Sequence, residues 1–380
     1  MTEKYLPEVC NIQYGFPFDS TQFSTSEGMP LIRIRDVVRG YSETFTTERY
    51  KEEYIVYPND LLIGMDGEFN IAKWGKTPAL LNQRVCRLIP CSEEIDKNYL
   101  FYFMPNALKQ IEAKTPFATV KHLSAKELNK IKIPLPTLEE QRRIATVLDK
   151  LTDLIAKRQA QLDKLDELVK AHFVEMFGDC KTNPKGWPVC RLDEIAEVGS
   201  SKRVFVEELT DSGIPFFRGT EIGALAEGKS ITPELFITES HYKELCDLSG
   251  TPKKGDLLMP SICPDGRIWE VNTDQPFYFK DGRVLWIHNI ADRFNSTFLL
   301  YALKDRIMSD YNSIASGTTF AELKIFALKK CLVFDVPPEL QHQFALFVKK
   351  RHNLKAEIEH SLGNLKLARA TLIQQYFTDQ

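Results

Sequence analysis

The sequence predicts an α+β protein in which two globular units are each followed by one long helix, the two helices pairing as an antiparallel coiled coil about a pseudo-twofold internal repeat. Three observations predict it: a repeat running the length of the chain, a 40-residue stretch free of glycine and proline that carries a heptad pattern, and a weaker copy of that stretch further on. At 380 residues the chain exceeds what one hydrophobic core usually organises. Its 43% hydrophobic and 27% charged residues make a globular composition, far from disordered or collagen-like chains.

The repeat emerges when the halves are slid past each other. Leu6-Pro7-Glu8-Val9 is echoed by Leu192-Asp193-Glu194-Ile195, and Gly28-Met29-Pro30-Leu31-Ile32-Arg33 by Gly213-Ile214-Pro215-Phe216-Phe217-Arg218. Asp60-Leu61-Leu62 then matches Asp256-Leu257-Leu258, Arg84-Val85 matches Arg283-Val284, and Thr119 and Leu123 match Thr319 and Leu323, always in the same order. From there the offset is constant, pairing Glu139 with Glu339, Gln141 with Gln341, Leu162 with Leu362 and Phe177 with Phe377. The expected division is a globular unit over residues 1–136, a helix over 137–178, a second unit over 179–336 and a second helix over 337–380.

The first long helix carries its own start and stop. Pro134-Leu135-Pro136 introduces it, Thr137 with Glu140 forms a capping box that satisfies orphan amide donors, and Gly178 ends it. Ile144, Leu148, Leu151, Ile155, Arg158, Leu162, Leu165, Val169, His172 and Met176 alternate in steps of four and three. That is a heptad seam on a rod of roughly 60 Å at 1.5 Å rise per residue. The second rod opens after Pro337-Pro338 and keeps Phe344, Val348, Ile358, Leu362, Leu365, Leu372 and Tyr376 in phase, weakened by Arg351, Lys355, Gly363 and Arg369. Two such seams in one chain can bury each other if the rods run antiparallel. The turn-rich segment from Gly178 to Pro188 marks the boundary between the halves.

Composition narrows the function classes. Forty-nine basic against 52 acidic residues give a net charge of −3, which argues against nonspecific coating of polyanions but leaves room for a local basic face. No apolar run approaches the ~18 residues needed to cross a bilayer, and the start lacks a charged-then-apolar secretion signal, so a cytoplasmic protein is expected. The eight scattered cysteines form no C-x-x-C pair and read as reduced, mostly buried thiols, with no disulfide and no structural zinc.

Gly223-Ala224-Leu225-Ala226-Glu227-Gly228-Lys229-Ser230 fits the spelling of a phosphate-binding loop, and Cys331 to Asp335 resembles an apolar strand ending in a magnesium ligand. The loop, however, needs a helix straight after its lysine, and Ile231-Thr232-Pro233 follows instead. The match is read as coincidence. No methyl-donor loop, nucleophile elbow or paired metal carboxylates occur, and the seven histidines are dispersed. No catalytic and no metal-ligating residues are assigned.

What remains distinctive is basic, polar and aromatic material in matched segments of both halves. The first half offers Arg33, Arg35, Asn70, Lys73, Trp74, Arg84, Lys121 and His122. The second offers Lys202, Arg203, Arg218, Lys253, Lys254, Arg267, Trp269 and Arg283. Arginine and lysine can hold phosphates or read guanine edges, and asparagine can read adenine, so a double set suits a bipartite double-stranded DNA site.

With these residues in view, the chain resembles the specificity subunit of a Type I restriction-modification system. The resemblance covers almost the full length and is most specific in Asp60-Leu61-Leu62-Ile63-Gly64-Met65-Asp66-Gly67-Glu68-Phe69-Asn70 and in Ile131-Lys132-Ile133-Pro134-Leu135-Pro136-Thr137-Leu138-Glu139-Glu140-Gln141-Arg142-Arg143-Ile144. It implies two target recognition domains, each reading half of an interrupted DNA sequence, held apart by the rods, which also dock two modification subunits. Those partners would carry S-adenosylmethionine and methylate adenine, separate restriction subunits would hydrolyse ATP with magnesium and cut, and this chain would hold no cofactor. The second copy departs from the pattern, reading Asp335-Val336-Pro337-Pro338-Glu339-Leu340-Gln341. The seam residues Ile144, Leu148, Leu151, Ile155, Leu162, Leu165, Phe344, Ile358, Leu362 and Leu365 are the expected coiled-coil and partner-docking positions.

Overall fold

The computed structural model describes residues 2–115, 121–316 and 321–377. Thr119 and Thr319, one of the repeat matches, lie outside the described residues. The chain forms two compact units, one made of residues 1–160 with 359–380, the other of residues 161–358. Each unit therefore takes part of both rods.

In the first unit, Thr2–Tyr5 pairs antiparallel with Lys132–Leu135, the strand that leads into the first rod. A four-stranded antiparallel sheet follows in the order Cys10–Tyr14, Val85–Pro90, Leu61–Gly64, Asn70–Lys73. All four residues of Leu61–Gly64 are buried, which explains why Asp60-Leu61-Leu62 is a strong repeat signal: it is the heart of a core. Met29–Ile32 pairs in parallel with Ala79–Leu81 in a second, five-stranded sheet. Helix Lys97–Lys114, capped by the Asp96 carboxylate accepting from the amides of Asn98 and Tyr99, packs Tyr99, Leu100, Phe103 and Leu108 into the core.

The second unit repeats the strand pair, the four-stranded sheet and the parallel pair, but its counterpart of the five-stranded sheet has three strands. Val189–Arg191 pairs with Leu332–Phe334, and a four-stranded sheet runs Glu197–Gly199, Val284–His288, Leu257–Pro260, Trp269–Glu270. Ile214–Phe217 pairs in parallel with Tyr278–Phe279. Even the register agrees: Val85 lies opposite Gly64 as Val284 lies opposite Pro260. The sequence repeat is thus a repeat of sheet topology.

The rods are Leu138–Phe177 and Pro338–Phe377. The Glu140 amide donates to Thr137 Oγ1 at 3.3 Å, and Gly178, with φ +87°, closes the helix by donating to Val174 O. In the first unit Ile144 and Leu148 from the start of one rod share a core with Leu372, Ile373, Tyr376 and Phe377 from the end of the other. In the second unit Val169, Phe173 and Phe177 from the end of the first rod share a core with Phe344 and Val348 from the start of the second. The rods therefore run antiparallel within each unit.

Of the expected seam positions, Ile144, Leu148, Leu162, Leu165, Phe344, Ile358 and Leu362 are buried, and Leu151, Ile155 and Leu365 half-buried. One correction is needed. After Leu165 the buried positions step by four, to Val169, Phe173 and Phe177, whereas His172 and Met176 are only half-buried. A straight α-helix drifts ~20° per heptad from a 3.5-residue seam, so over 40 residues the strict four-three pattern loses the buried face.

Each rod is fastened to its own globular unit by a fully buried glutamine. Gln141 Oε1 accepts from the Asp96 amide at 2.9 Å, while Nε2 donates to Glu94 O at 2.8 Å and Pro136 O at 2.9 Å. Gln341 repeats the arrangement, accepting from the Asn295 amide at 2.8 Å and donating to Arg293 O at 3.0 Å and Val336 O at 2.8 Å.

The phosphate-loop spelling at 223–230 has the wrong architecture. Gly219–Ala226 is already helical and ends before Lys229, so the helix precedes the lysine instead of following it. Among the described residues no helix is long and apolar enough to cross a membrane.

Candidate nucleic-acid interface

In the first unit the turn that enters Val85–Pro90 places Arg84 beside Asp66, at the end of the neighbouring strand. Arg84 Nη1 donates to Asp66 Oδ2, and His122 Nδ1 lies 2.6 Å from Asp66 Oδ1. The arginine and histidine side chains are 58% and 56% exposed, their carboxylate only 9%. Burial pushes the Asp66 carboxyl up, but hydrogen bonds from His122 and Arg84, with their charges, outweigh it and leave the pKa below the usual range. Next to this group Lys121 Nζ donates to Glu112 O at 2.9 Å. Asn70 donates through Nδ2 to Glu68 O, while its Oδ1 is buried with no hydrogen-bond partner.

The other expected residues of this half are placed elsewhere. Lys73 faces the first rod, 3.5 Å from Asp149 Oδ1 and over the Phe101 ring at 4.9 Å. Trp74 is 2% exposed and donates its indole N–H to Thr77 O; it is a core residue, and the expectation of a surface contact is corrected on that ground. Arg33 sits at the start of helix Ile34–Arg39, its amide donating to Asp36 Oδ2 at 2.9 Å and its side chain exposed. Arg35 is half-exposed with Nε 3.8 Å from Asp36.

In the second unit Arg283 Nη1 donates to Glu322 Oε1 at 3.1 Å, and Ser261 Oγ donates to the same oxygen at 2.8 Å. Arg203 Nε donates to Asp281 at 3.2 Å. Arg267 pairs with Asp265 and Glu227, and Lys254 with Asp274. Lys202 and Lys253 are exposed. Trp269, 6% exposed against Phe277, is a core residue like Trp74 and is corrected for the same reason.

Arg218 is held by its own domain, donating to Glu221 at 2.6 Å and to Glu234 at 3.2 Å. Burial pushes the Glu221 carboxyl up, but hydrogen bonds from the Arg218 guanidinium and amide and from Thr220 bring it down to about 2. A carboxylate with a depressed folded-state pKa stabilises fully above its unfolded pKa, and that contribution is lost as pH falls toward the folded value. Glu221→Gln should therefore lose less thermal stability than the parent between about pH 5 and about pH 3. Equal losses in the two proteins would show the pair to be energetically silent.

Two open depressions bring in further residues that the sequence pattern did not single out, one of them beside Arg203 and Arg283. One of ≈ 310 Å³ in the second unit is lined by Arg203, Val204, Phe205, Val206, Lys280, Asp281 and Arg283. The other, of ≈ 260 Å³ in the first unit, is lined by Phe16, Arg49, Tyr50, Lys51 and Tyr54. Phe205 and Val206 are 56% and 75% exposed, and Tyr50 42%. Basic and exposed aromatic residues at one concave surface are the chemistry of nucleic-acid contact. Arg49-Tyr50-Lys51 is a basic–aromatic–basic run in the sequence, and that signal could have found it.

Residues 1–166 match the family model described as the Type I restriction modification DNA specificity domain. The EcoBI specificity subunit of Escherichia coli, a type I restriction enzyme component, is 42% identical over 166 residues, spanning 43% of this chain and 35% of that protein. The MjaVIII specificity subunit of Methanocaldococcus jannaschii is 24% identical over 320 residues, 74% of this chain and 71% of that protein. The crystal structure of the S subunit of the Type-I restriction-modification system from M. genitalium shares the fold, with a TM-score of 0.60 over 100% of this chain and 96% of that one at 15% identity. Over its first 166 residues the chain is thus similar to type I restriction-modification specificity subunits.

Proposed function

We propose that this chain is the DNA-specificity subunit of a type I restriction-modification complex, recognising a bipartite duplex target with one half-site per globular unit. The observation that carries this reading is the repeat itself: two units whose four-stranded sheets share one strand order, each presenting a carboxylate-held arginine at the same point of that sheet. The chain docks two modification subunits, which methylate adenine from S-adenosylmethionine, and restriction subunits that use ATP and magnesium. It performs no chemistry of its own and holds no cofactor.

The test is methylation mapping on a randomised bipartite library with the purified chain, its modification subunits, and both together. Sequence-specific adenine methylation is expected only in the mixture, at one interrupted motif. Methyl transfer proportional to the concentration of this chain alone, or methylation without sequence preference in the mixture, would overturn the proposal.

A further inference from the structure

Arg84 and Arg283 occupy one structural position twice. The Met65 amide donates to Arg84 O and the Ser261 amide to Arg283 O, both at 2.9 Å. On the far side, Leu123 donates to Met65 O at 2.7 Å and Leu323 to Ser261 O at 2.8 Å. Each guanidinium is held by a carboxylate, but the carboxylates come from different places in the repeat. In the first unit it is Asp66, directly after Met65; in the second it is Glu322, directly before Leu323. The first unit has His122 where the second has Glu322, and His122 contacts Asp66. The repeat has exchanged the acid while keeping an arginine braced at the same spot.

Fold stability does not account for this. The arginines are 58% and 62% exposed, and ion pairs of such exposure contribute little. Arg84 also holds φ at +69°, a left-handed conformation unfavourable for a residue with a side chain, whereas in the second unit the left-handed residue is Gly282, at +64°. Nor is the arrangement suited to a plain phosphate clamp, because the adjacent carboxylate cancels the charge that attracts phosphate. What the brace does is immobilise a planar fork while leaving further N–H donors in solvent, the geometry that matches O6 and N7 of guanine.

We infer that Arg84 and Arg283 are the matched guanine-reading residues of the two units, with Asp66 and Glu322 as their positioning residues; this rests on the DNA-specificity reading above.

The experiment uses the complex with its modification subunits and duplexes in which each guanine of the mapped target is replaced, one at a time, by 7-deazaguanine, which lacks N7. For the unaltered complex one replacement in each half-site should lower methylation roughly tenfold, within the range for a bidentate arginine–guanine pair. Arg84→Met should abolish that sensitivity in one half-site only and Arg283→Met in the other, while both melt as the parent does. Asp66→Asn and Glu322→Gln should weaken discrimination at the same base as their arginine and at no other. A parent complex indifferent to 7-deazaguanine throughout, a half-site without guanine, sensitivity surviving both methionine variants, or a uniform loss across all positions overturns the inference. In each of those cases specific methylation by the parent leaves the DNA-specificity reading intact, whereas a parent without any specific methylation overturns both.

Discussion

Gln141→Ala is expected to destabilise the first unit by about 2–4 kcal/mol, and Gln341→Ala the second by a similar amount. The side chains are fully buried, and each removal strands one amide and two carbonyl groups. A buried polar group left without its partner costs about 1–3 kcal/mol, and partial relaxation keeps the sum below three full penalties. Gln141→Glu separates the two roles of the amide, since it can still accept from Asp96 but cannot donate to Glu94 O or Pro136 O. Ionised at neutral pH, it would bury a charge against two carbonyl oxygens and should cost at least as much as alanine. Chemical denaturation followed by a probe in each unit measures this; a loss under about 0.5 kcal/mol for both alanine variants, the scale of an ordinary surface substitution, would mean that the glutamines do not fasten the rods.

Phe344→Ala should be costlier still, about 3–5 kcal/mol, the range for truncating a fully buried phenylalanine. Its ring is 0% exposed and lies 5.4 Å from Phe173, 5.6 Å from Phe177 and 5.3 Å from Tyr301, so one substitution removes contacts with the other rod and with the globular unit. Ring pairs at these distances add to the simple burial of apolar area. The same denaturation experiment reads it, with Phe344→Leu as the volume-sparing comparison. If leucine costs almost nothing, the aromatic packing contributes nothing beyond burial.

Much of this architecture was legible because it is periodic or repeated. The first rod announces itself by a capping box at Thr137, a glycine at 178 and forty residues without a breaker, and helices obey such local rules. The halves align because buried strands such as Leu61–Gly64 and Leu257–Pro260 tolerate few alternatives. Phe173 and Phe177 escaped the heptad reading because the buried face of a straight helix rotates away from a 3.5-residue grid.

The interface was harder, for a different reason. Trp74 and Trp269 are aromatic and sit beside basic residues, yet burial removes them from any contact surface, and burial of a single side chain has no periodic signature. Glu322 went unnoticed because its role depends on Arg283, 39 residues away in sequence, and no repeat position predicts it: its counterpart in the first half is His122. Arg49, Tyr50, Lys51 and Lys280 lie in irregular segments, where three-dimensional neighbourhood and not spacing decides which residues meet.

The interleaving of rods and units has a consequence for biosynthesis. A ribosome delivers residues 1–160 first, but Leu372, Ile373, Tyr376 and Phe377 are part of the core those residues must close. The second unit, residues 161–358, is continuous and can close while the nascent chain is still being extended. The half that is made first is thus the half that finishes last, waiting through some 200 residues of translation with Ile144, Leu148 and the face of Lys97–Lys114 incompletely covered. Closing that core spans most of the chain's length in sequence separation, the kind of non-local contact that slows folding. A nascent chain stalled before residue 359 should therefore present a protease-resistant second unit and a susceptible first one, reversing the order in which they were made.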